Sequence, residues 1–155
     1  MKTIRNSTFC ILAAFLLVTT SCKKETIIQF SDQPVGTVTN LKTGTIARQN
    51  APGTPDTKGT LSIIQDSNSN QFVKLNSDFM SGFATGTVTV YLAKTMEEIK
   101  VQRNGGATAT NVQAIGFVQK NGEQYLKIAG SISGFAYLVL YCETAEVNFG
   151  AAQLK

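Results

Sequence analysis

Short apolar runs recur along most of this chain, separated by loops rich in glycine, asparagine and serine. Runs of this length at regular spacing, with turn-forming residues between them, are typical of an all-β sandwich or barrel. The pattern predicts strands at residues 41–47, 59–65, 71–75, 87–93, 113–119, 123–128, 136–142 and 146–149. We therefore expect a single antiparallel all-β domain, either a sandwich or barrel-like.

The run at residues 136–142 carries the strongest strand signal. Its even-numbered residues, ending at Cys142, project to one side, and its odd-numbered residues project to the other. Because both sides are apolar, the strand is expected to be central. Val147 and Phe149 continue the alternation on odd numbers, so a bulge or bend is expected between Glu143 and Glu146.

Three local signals lie outside these strands. Asn121-Gly122 suits a type I′ turn and predicts a hairpin between the flanking strands. Thr95 and Glu98 have capping-box spacing, which predicts one helical turn at residues 95–99. The run D-S-N-S-N from Asp66 to Asn70 has alternate-residue calcium-loop spacing, but it lacks the glycine and the distal glutamate. A β-turn is the simpler explanation of that run.

The N-terminus has the parts of an export signal. Lys2 and Arg5 form a positive start, residues 9–18 are apolar but too few to span a membrane, and small residues precede Cys22. This order predicts a bacterial lipoprotein signal at residues 1–21, with Cys22 acylated by fatty chains such as palmitate. The alternative is ordinary secretion with cleavage near the same point. Either way the mature chain is exported, and we expect a membrane-anchored protein of the outer membrane or cell surface that faces the periplasm or exterior.

Removal of the signal leaves about 134 residues, enough for one domain with its own core. The composition of residues 22–40 predicts a lipidated N-terminus and a flexible tether, followed by a β domain at residues 41–155. The partner expected for the N-terminus is the lipid bilayer, reached through acylated Cys22.

Cysteine usage leaves one thiol for chemistry. Cys10 lies within the signal and Cys22 would carry lipid, so Cys142 is the single remaining thiol of the mature chain. It is either a buried small hydrophobe or a group that reacts with a partner. Glu143 follows it directly and would disfavour the reactive thiolate if the two side chains were close in space, and no cation is adjacent in sequence.

Composition narrows the function classes further. The chain has no histidine, which removes serine and cysteine catalytic triads, most zinc sites and the commonest haem ligand. We therefore expect no enzyme, no catalytic residues and no metal site. The 14 basic and 10 acidic residues are scattered, which argues against a nucleic-acid partner. The four tyrosines lie in predicted strands, where core or edge packing is the ordinary role.

Several segments resemble the electron-transfer DM13 domain. The chain reads L-x-L-x-C at residues 138–142 and V-N-F-G-A-A-Q-L at residues 147–154, against the family pattern V-x-I-x-C and V-x-F-G-x-A-x-L. Upstream segments occur in the same order as in the family. They are K-G-T-L-S-I at 58–63, F-V-K-L at 72–75 with D-F at 78–79, and V-T-V-Y-L at 88–92. The resemblance covers residues 41–154.

The resemblance implies a role in electron transfer with Cys142 as the redox candidate. A lone thiol has no resolving partner, so it could form a mixed disulfide, be oxidised, or pass an electron only with a partner's help. No intrinsic cofactor is expected, and a haem or other cofactor would come from a partner protein. The alternative is a structural or protein-binding module in which Cys142 is only a buried core residue.

Overall fold

The computed structural model describes residues 33–49, 54–82, 87–103 and 110–155. The predicted signal, Cys10 and Cys22 lie outside these residues. The described part contains eight strands and one short helix. In chain order they are β1 (Thr39–Arg48), β2 (Gly59–Gln65), β3 (Gln71–Leu75), β4 (Val88–Ala93), α1 (Ile99–Gln102), β5 (Val112–Phe117), β6 (Gln124–Ile128), β7 (Tyr137–Cys142) and β8 (Val147–Gln153).

All eight strands belong to one sheet with the order β5-β4-β7-β8-β1-β2-β3-β6. Every paired neighbour is antiparallel. The edge strands β5 and β6 contact each other, so the sheet curls into a nearly closed barrel. The predicted all-β, barrel-like class is therefore confirmed, and β7 is central as expected, between β4 and β8.

The inward side chains fill the barrel with an aliphatic core. Each strand contributes at least one buried residue, for example Ile46, Ile63, Val73, Val90, Ile115, Leu126, Leu140 and Phe149. A smaller cluster lies on the outer face of β4, β7 and β8, where Ile99 of α1 covers Tyr91, Val139 and Tyr141. The helix thus buries an outer surface that would otherwise expose apolar side chains to water.

The bend predicted beside Cys142 is present as a turn. Residues 143–146 reverse the chain between β7 and β8, and Glu146 adopts a positive φ of 54°. The β7–β8 pairing also shifts register between Leu140 and Tyr141, so that Phe149 is the extra residue of a bulge. The turn therefore moves the inward positions from even to odd numbers at Val147 and Phe149, and the bulge returns them to even numbers at Ala152 and Leu154.

The predicted hairpin at Asn121-Gly122 is wrong. β5 and β6 lie at opposite ends of the strand order and form no ladder in the described part of the chain. Gly122 instead donates its backbone N–H to the carbonyl of Phe79 at 2.8 Å, and Asn121 Oδ1 accepts from the backbone N–H of Ser81 at 2.8 Å. The pair docks the β5–β6 connection onto a distant loop.

The predicted capping box is also wrong. The helix begins at Ile99 with Glu98 as its N-cap, and no side chain caps it. Glu98 Oε2 accepts a hydrogen bond from the backbone N–H of Asn148 at 3.0 Å. The sequence pattern predicted that the Glu98 carboxylate would bond to the backbone N–H of Thr95, but it bonds to β8 instead.

The D-S-N-S-N run forms the predicted turn, between β2 and β3. Asp66 Oδ1 accepts from the backbone N–H groups of Asn68 and Asn70, both at 2.9 Å. Asp66 Oδ2 accepts from the backbone N–H of Val35 at 3.3 Å, which holds residues before β1 against this turn. The carboxylate therefore stabilises the β2–β3 turn, as an Asx-turn residue does, and also holds the segment that precedes β1.

These bonds give the turn a pH dependence. Burial acts to raise the pKa of Asp66, but the hydrogen bonds from Asn70, Val35 and Asn68 outweigh it and lower the pKa below its ordinary value of 3.8. The stability that Asp66 contributes is complete above 3.8 and is lost as the pH falls through the lower folded-state pKa. We expect Asp66→Asn to make the acid loss of stability shallower, as measured by urea unfolding from pH 5 to about pH 2.

Candidate functional site

Cys142 is the last residue of β7 and lies between Val88 of β4 and Val147 of β8. It belongs to the barrel core, and its exposed fraction is 0%. The expected strand position of the residue, on the same face as Leu138 and Leu140, is confirmed, whereas its chemical role remains a prediction. Because a thiol must meet its reagent to exchange a disulfide, reaction at Cys142 requires this end of the barrel to open.

The next residue turns its side chain to the outer face. Tyr91 Oη donates a hydrogen bond to Glu143 Oε1 at 2.7 Å. Arg103 Nη1 donates to Glu143 Oε2 at 3.0 Å and to Tyr91 Oη at 3.2 Å. These three residues, here called the Tyr91 network, link β4, the turn after β7 and the C-terminal end of α1.

Burial and charge act together in the Tyr91 network. Burial, followed by the hydrogen bond to Glu143, raises the pKa of the Tyr91 phenol above its ordinary value of 10.0. Burial acts to lower the pKa of Arg103, but the hydrogen bond and negative charge of Glu143 outweigh it and raise that pKa. Tyr91 therefore keeps its proton and Arg103 its positive charge at neutral pH.

Tyr141 lies beside the network without joining its hydrogen bonds. Its ring meets the Tyr91 ring edge to face, with centroids 6.1 Å apart and planes at 83°, and the Arg103 guanidinium carbon lies 5.1 Å from its centroid. Tyr141 is fully buried, yet its hydroxyl has no hydrogen-bond partner among the described residues. Thr89 of β4 pairs with Tyr141 of β7, and its buried hydroxyl also has no hydrogen-bond partner among the described residues.

Asn148 of β8 fixes the helix that carries Arg103. Its Oδ1 accepts from the backbone N–H of Ile99 at 3.3 Å, and its Nδ2 donates to the carbonyl of Glu97 at 3.2 Å. The residue is 1% exposed, so these bonds satisfy polar groups that water cannot reach. Asn148 thereby positions α1, and through it Arg103, over β4 and β7.

Sequence reasoning found Cys142 and Glu143 but missed Arg103. The sequence offered no cation near Glu143, because Arg103 lies 40 residues away and reaches it only through the docking of α1. Tyr91 was expected only as packing, and its carboxylate partner is 52 residues distant. No local motif marks either contact.

Neither a metal-binding cluster nor a membrane-spanning helix is found among the described residues. No group of three histidine, cysteine, aspartate or glutamate residues there could hold a metal ion. Among the same residues, no helix has the length and apolar character needed to cross a membrane.

The two tyrosines make a matched pair for a stability test. Tyr91→Phe removes a hydroxyl bonded to two charged side chains, and we expect it to lower the free energy of unfolding by about 1.5 kcal/mol, after allowance for the partial exposure of the network. Tyr141→Phe removes a buried hydroxyl that has no partner, so we expect no loss, or a gain of up to about 1 kcal/mol. Urea unfolding measures both, and a larger loss from Tyr141→Phe would contradict the description of this face.

The chain matches the model of a known protein family. The model of the family described as Electron transfer DM13 matches residues 51–154, two thirds of the chain. The matched range contains seven of the eight strands and every residue of the Tyr91 network, as well as Cys142. No curated protein and no solved structure matches the chain.

Proposed function

The chain belongs to the electron-transfer DM13 family, and from that premise we propose that it is a non-catalytic module that supports electron transfer by docking to a cofactor-bearing partner. The family match carries the electron-transfer role. The lack of histidine and the lack of a metal-binding cluster among the described residues are consistent with electrons held by a cofactor on the partner, such as a haem.

Two roles for Cys142 remain within this proposal. The family resemblance favours Cys142 as the redox group itself. Its exposed fraction of 0% favours the alternative, in which the sulfur packs the core and the domain acts as a docking module. We assign Cys142 to the core in the closed barrel, because its exposed fraction is 0% and a reagent cannot reach a sulfur buried in this way.

The electron-transfer role is testable in native membranes. Membranes from the producing cell, with and without this protein, are reduced with a physiological donor, and the haem and flavin absorbance is followed in time. We expect slower reduction without the protein, and full restoration by both the wild-type chain and Cys142→Ala. Equal rates with and without the protein would overturn the electron-transfer role. Failure of Cys142→Ala alone, at normal protein abundance, would instead make the thiol the redox group.

We also infer that the protein is a lipoprotein of the cell envelope, anchored through Cys22 at the outer membrane or cell surface. The order of charged, apolar and small residues before Cys22 supports this inference, and each buried methylene of an acyl chain adds about 0.8 kcal/mol of membrane affinity. Intact mass of the membrane-extracted protein should show an acylated chain that begins at Cys22. An unmodified chain in the soluble fraction would contradict the anchor.

A further inference from the structure

The Tyr91 network has the composition of a proton-coupled redox site, and the family cysteine does not account for it. We propose that Tyr91 is a redox-active tyrosine, which gives one electron to a strong one-electron oxidant and its phenolic proton to Glu143. The oxidant belongs to the class of organic radicals and high-valent metal centres. The biological use of this step rests on the proposed electron-transfer function, whereas the chemistry of the site does not.

The contact between Tyr91 and Glu143 allows the step to balance. A phenol that has lost an electron becomes a very strong acid, so its oxidation is easiest when a base already accepts its hydrogen bond. Glu143 Oε1 lies 2.7 Å from Tyr91 Oη. The Tyr91 O–H bond breaks, its electron passes to the oxidant, and its proton forms an O–H bond on Glu143. The products are a neutral phenoxyl radical, a neutral carboxylic acid and the reduced oxidant.

Return to the resting state uses the same atoms. One electron from a reductant and the proton from Glu143 restore the Tyr91 hydroxyl and the Glu143 carboxylate. Arg103 Nη1 holds the other carboxylate oxygen at 3.0 Å, which keeps Oε1 directed at the phenol in both states. Arg103 is therefore a positioning residue.

Burial separates the radical from solvent while leaving the proton acceptor accessible. Tyr91 is 6% exposed, so its phenoxyl radical is shielded from coupling with radicals on other molecules. The Glu143 side chain is 31% exposed, which lets its proton exchange with water. A protected radical beside a solvent-connected base is the arrangement that a reversible one-electron relay needs.

Two other tyrosines are natural controls. Tyr141 is fully buried, but its hydroxyl has no acceptor among the described residues, so its oxidation would leave the proton nowhere to go. Tyr125 has an acceptor, since its hydroxyl donates to Glu123 Oε1 at 3.0 Å, but that pair lies at the surface. Tyr125 should therefore be oxidised readily and give a short-lived radical. Among the four tyrosines, and counting acceptors in the described part of the chain, only Tyr91 combines an acceptor with burial.

The test uses the mature chain and a photogenerated ruthenium(III) polypyridyl oxidant, without any protein partner. Optical and electron paramagnetic resonance spectra follow the tyrosyl radical. We expect a persistent radical in the wild-type chain, in Cys142→Ser, and in the surface controls Tyr125→Phe and Glu123→Gln. Tyr91→Phe should abolish the persistent signal. Glu143→Gln, which keeps an acceptor oxygen but not the base, should slow radical formation about a hundredfold and remove its slowing in D2O.

A complementary variant keeps the test decisive if Tyr91→Phe does not fold. The chain has four tyrosines, so Tyr125→Phe, Tyr137→Phe and Tyr141→Phe together leave Tyr91 alone, and this triple variant should retain the persistent radical. Survival of the persistent signal in Tyr91→Phe, or its loss in the triple variant, would overturn the assignment. A Tyr91 radical together with unchanged membrane electron transfer would refute the proposed function but not this site. Slower membrane electron transfer without the protein, together with no persistent Tyr91 radical, would refute this site but not the proposed function.

Discussion

Gly59→Ala should lower the free energy of unfolding by more than about 3 kcal/mol, because the residue combines an unusual backbone conformation with a close backbone approach. Gly59 begins β2 with a φ of +130°, which L side chains rarely adopt. A Cβ there would lie 2.6 Å from Phe79 Cα and 2.9 Å from Phe79 N. The neighbouring backbone cannot easily yield, since Lys58 and Met80 exchange two hydrogen bonds beside it.

Gly134→Ala is the matched control for the conformational part of this cost. Gly134 has a φ of +84°, but a Cβ built on it has no heavy-atom neighbour within 4 Å. We expect it to cost about 1 kcal/mol, the penalty of a left-handed conformation alone. Urea unfolding of both variants gives the difference, which contains the clash with Phe79 and the additional backbone strain of a φ of +130°. Equal losses in the two variants would show that Phe79 does not lie against Gly59 in solution.

Phe149→Ala should cost about 4 kcal/mol, the loss expected for a large aromatic side chain removed from a packed core. Phe149 is 2% exposed and belongs to the same interior cluster as Cys142. The register of the β7–β8 hairpin directs it inward, since Cys142 pairs with Val147 and Tyr141 pairs with Asn148. Removal of the ring leaves a cavity in the barrel core, next to the V-N-F-G segment at residues 147–150 that matches the family pattern.

Val147→Ala is a suitable comparison for Phe149→Ala, because Val147 lies in the same strand but is only partly buried against the core. We expect it to cost about 1 kcal/mol. Urea unfolding measures both losses, and an m-value equal to that of the wild-type chain shows that only stability has changed. A cost below about 1 kcal/mol for Phe149→Ala would mean that the ring lies outside the barrel and that the β7–β8 register is different from the one described.

The sequence predicted the strands well because most of them depend on local alternation. The limits of β2 and β3 agree residue for residue with the pattern, and β7 differs by one residue at its start. Alternation also places Cys142 on the face of Leu138 and Leu140, and all three residues belong to the barrel core. The last strand extends to Gln153, because paired β-structure continues through a stretch of small residues that carries a weak apolar signal.

Contacts between distant segments could not be predicted from the sequence. Asn121-Gly122 has the local chemistry of a hairpin, but β5 and β6 form no ladder among the described residues, and the pair instead forms hydrogen bonds to residues 79–81. The Tyr91 network depends likewise on the docking of α1 through Asn148. Turn and cap patterns describe local preferences. Tertiary hydrogen bonds override the turn preference at Asn121-Gly122 and the cap preference at Glu98.

The central claim is that Cys142 lies in the barrel core, and thiol labelling over a urea series tests it most directly. The labelling rate of Cys142 is taken as the difference between the wild-type chain and Cys142→Ala, which removes any contribution from other thiols. Without urea we expect a rate at least about a thousandfold below that of the unfolded chain, rising with urea in parallel with the unfolding constant. Labelling of the native chain at the unfolded rate would place the sulfur at the surface and contradict the account.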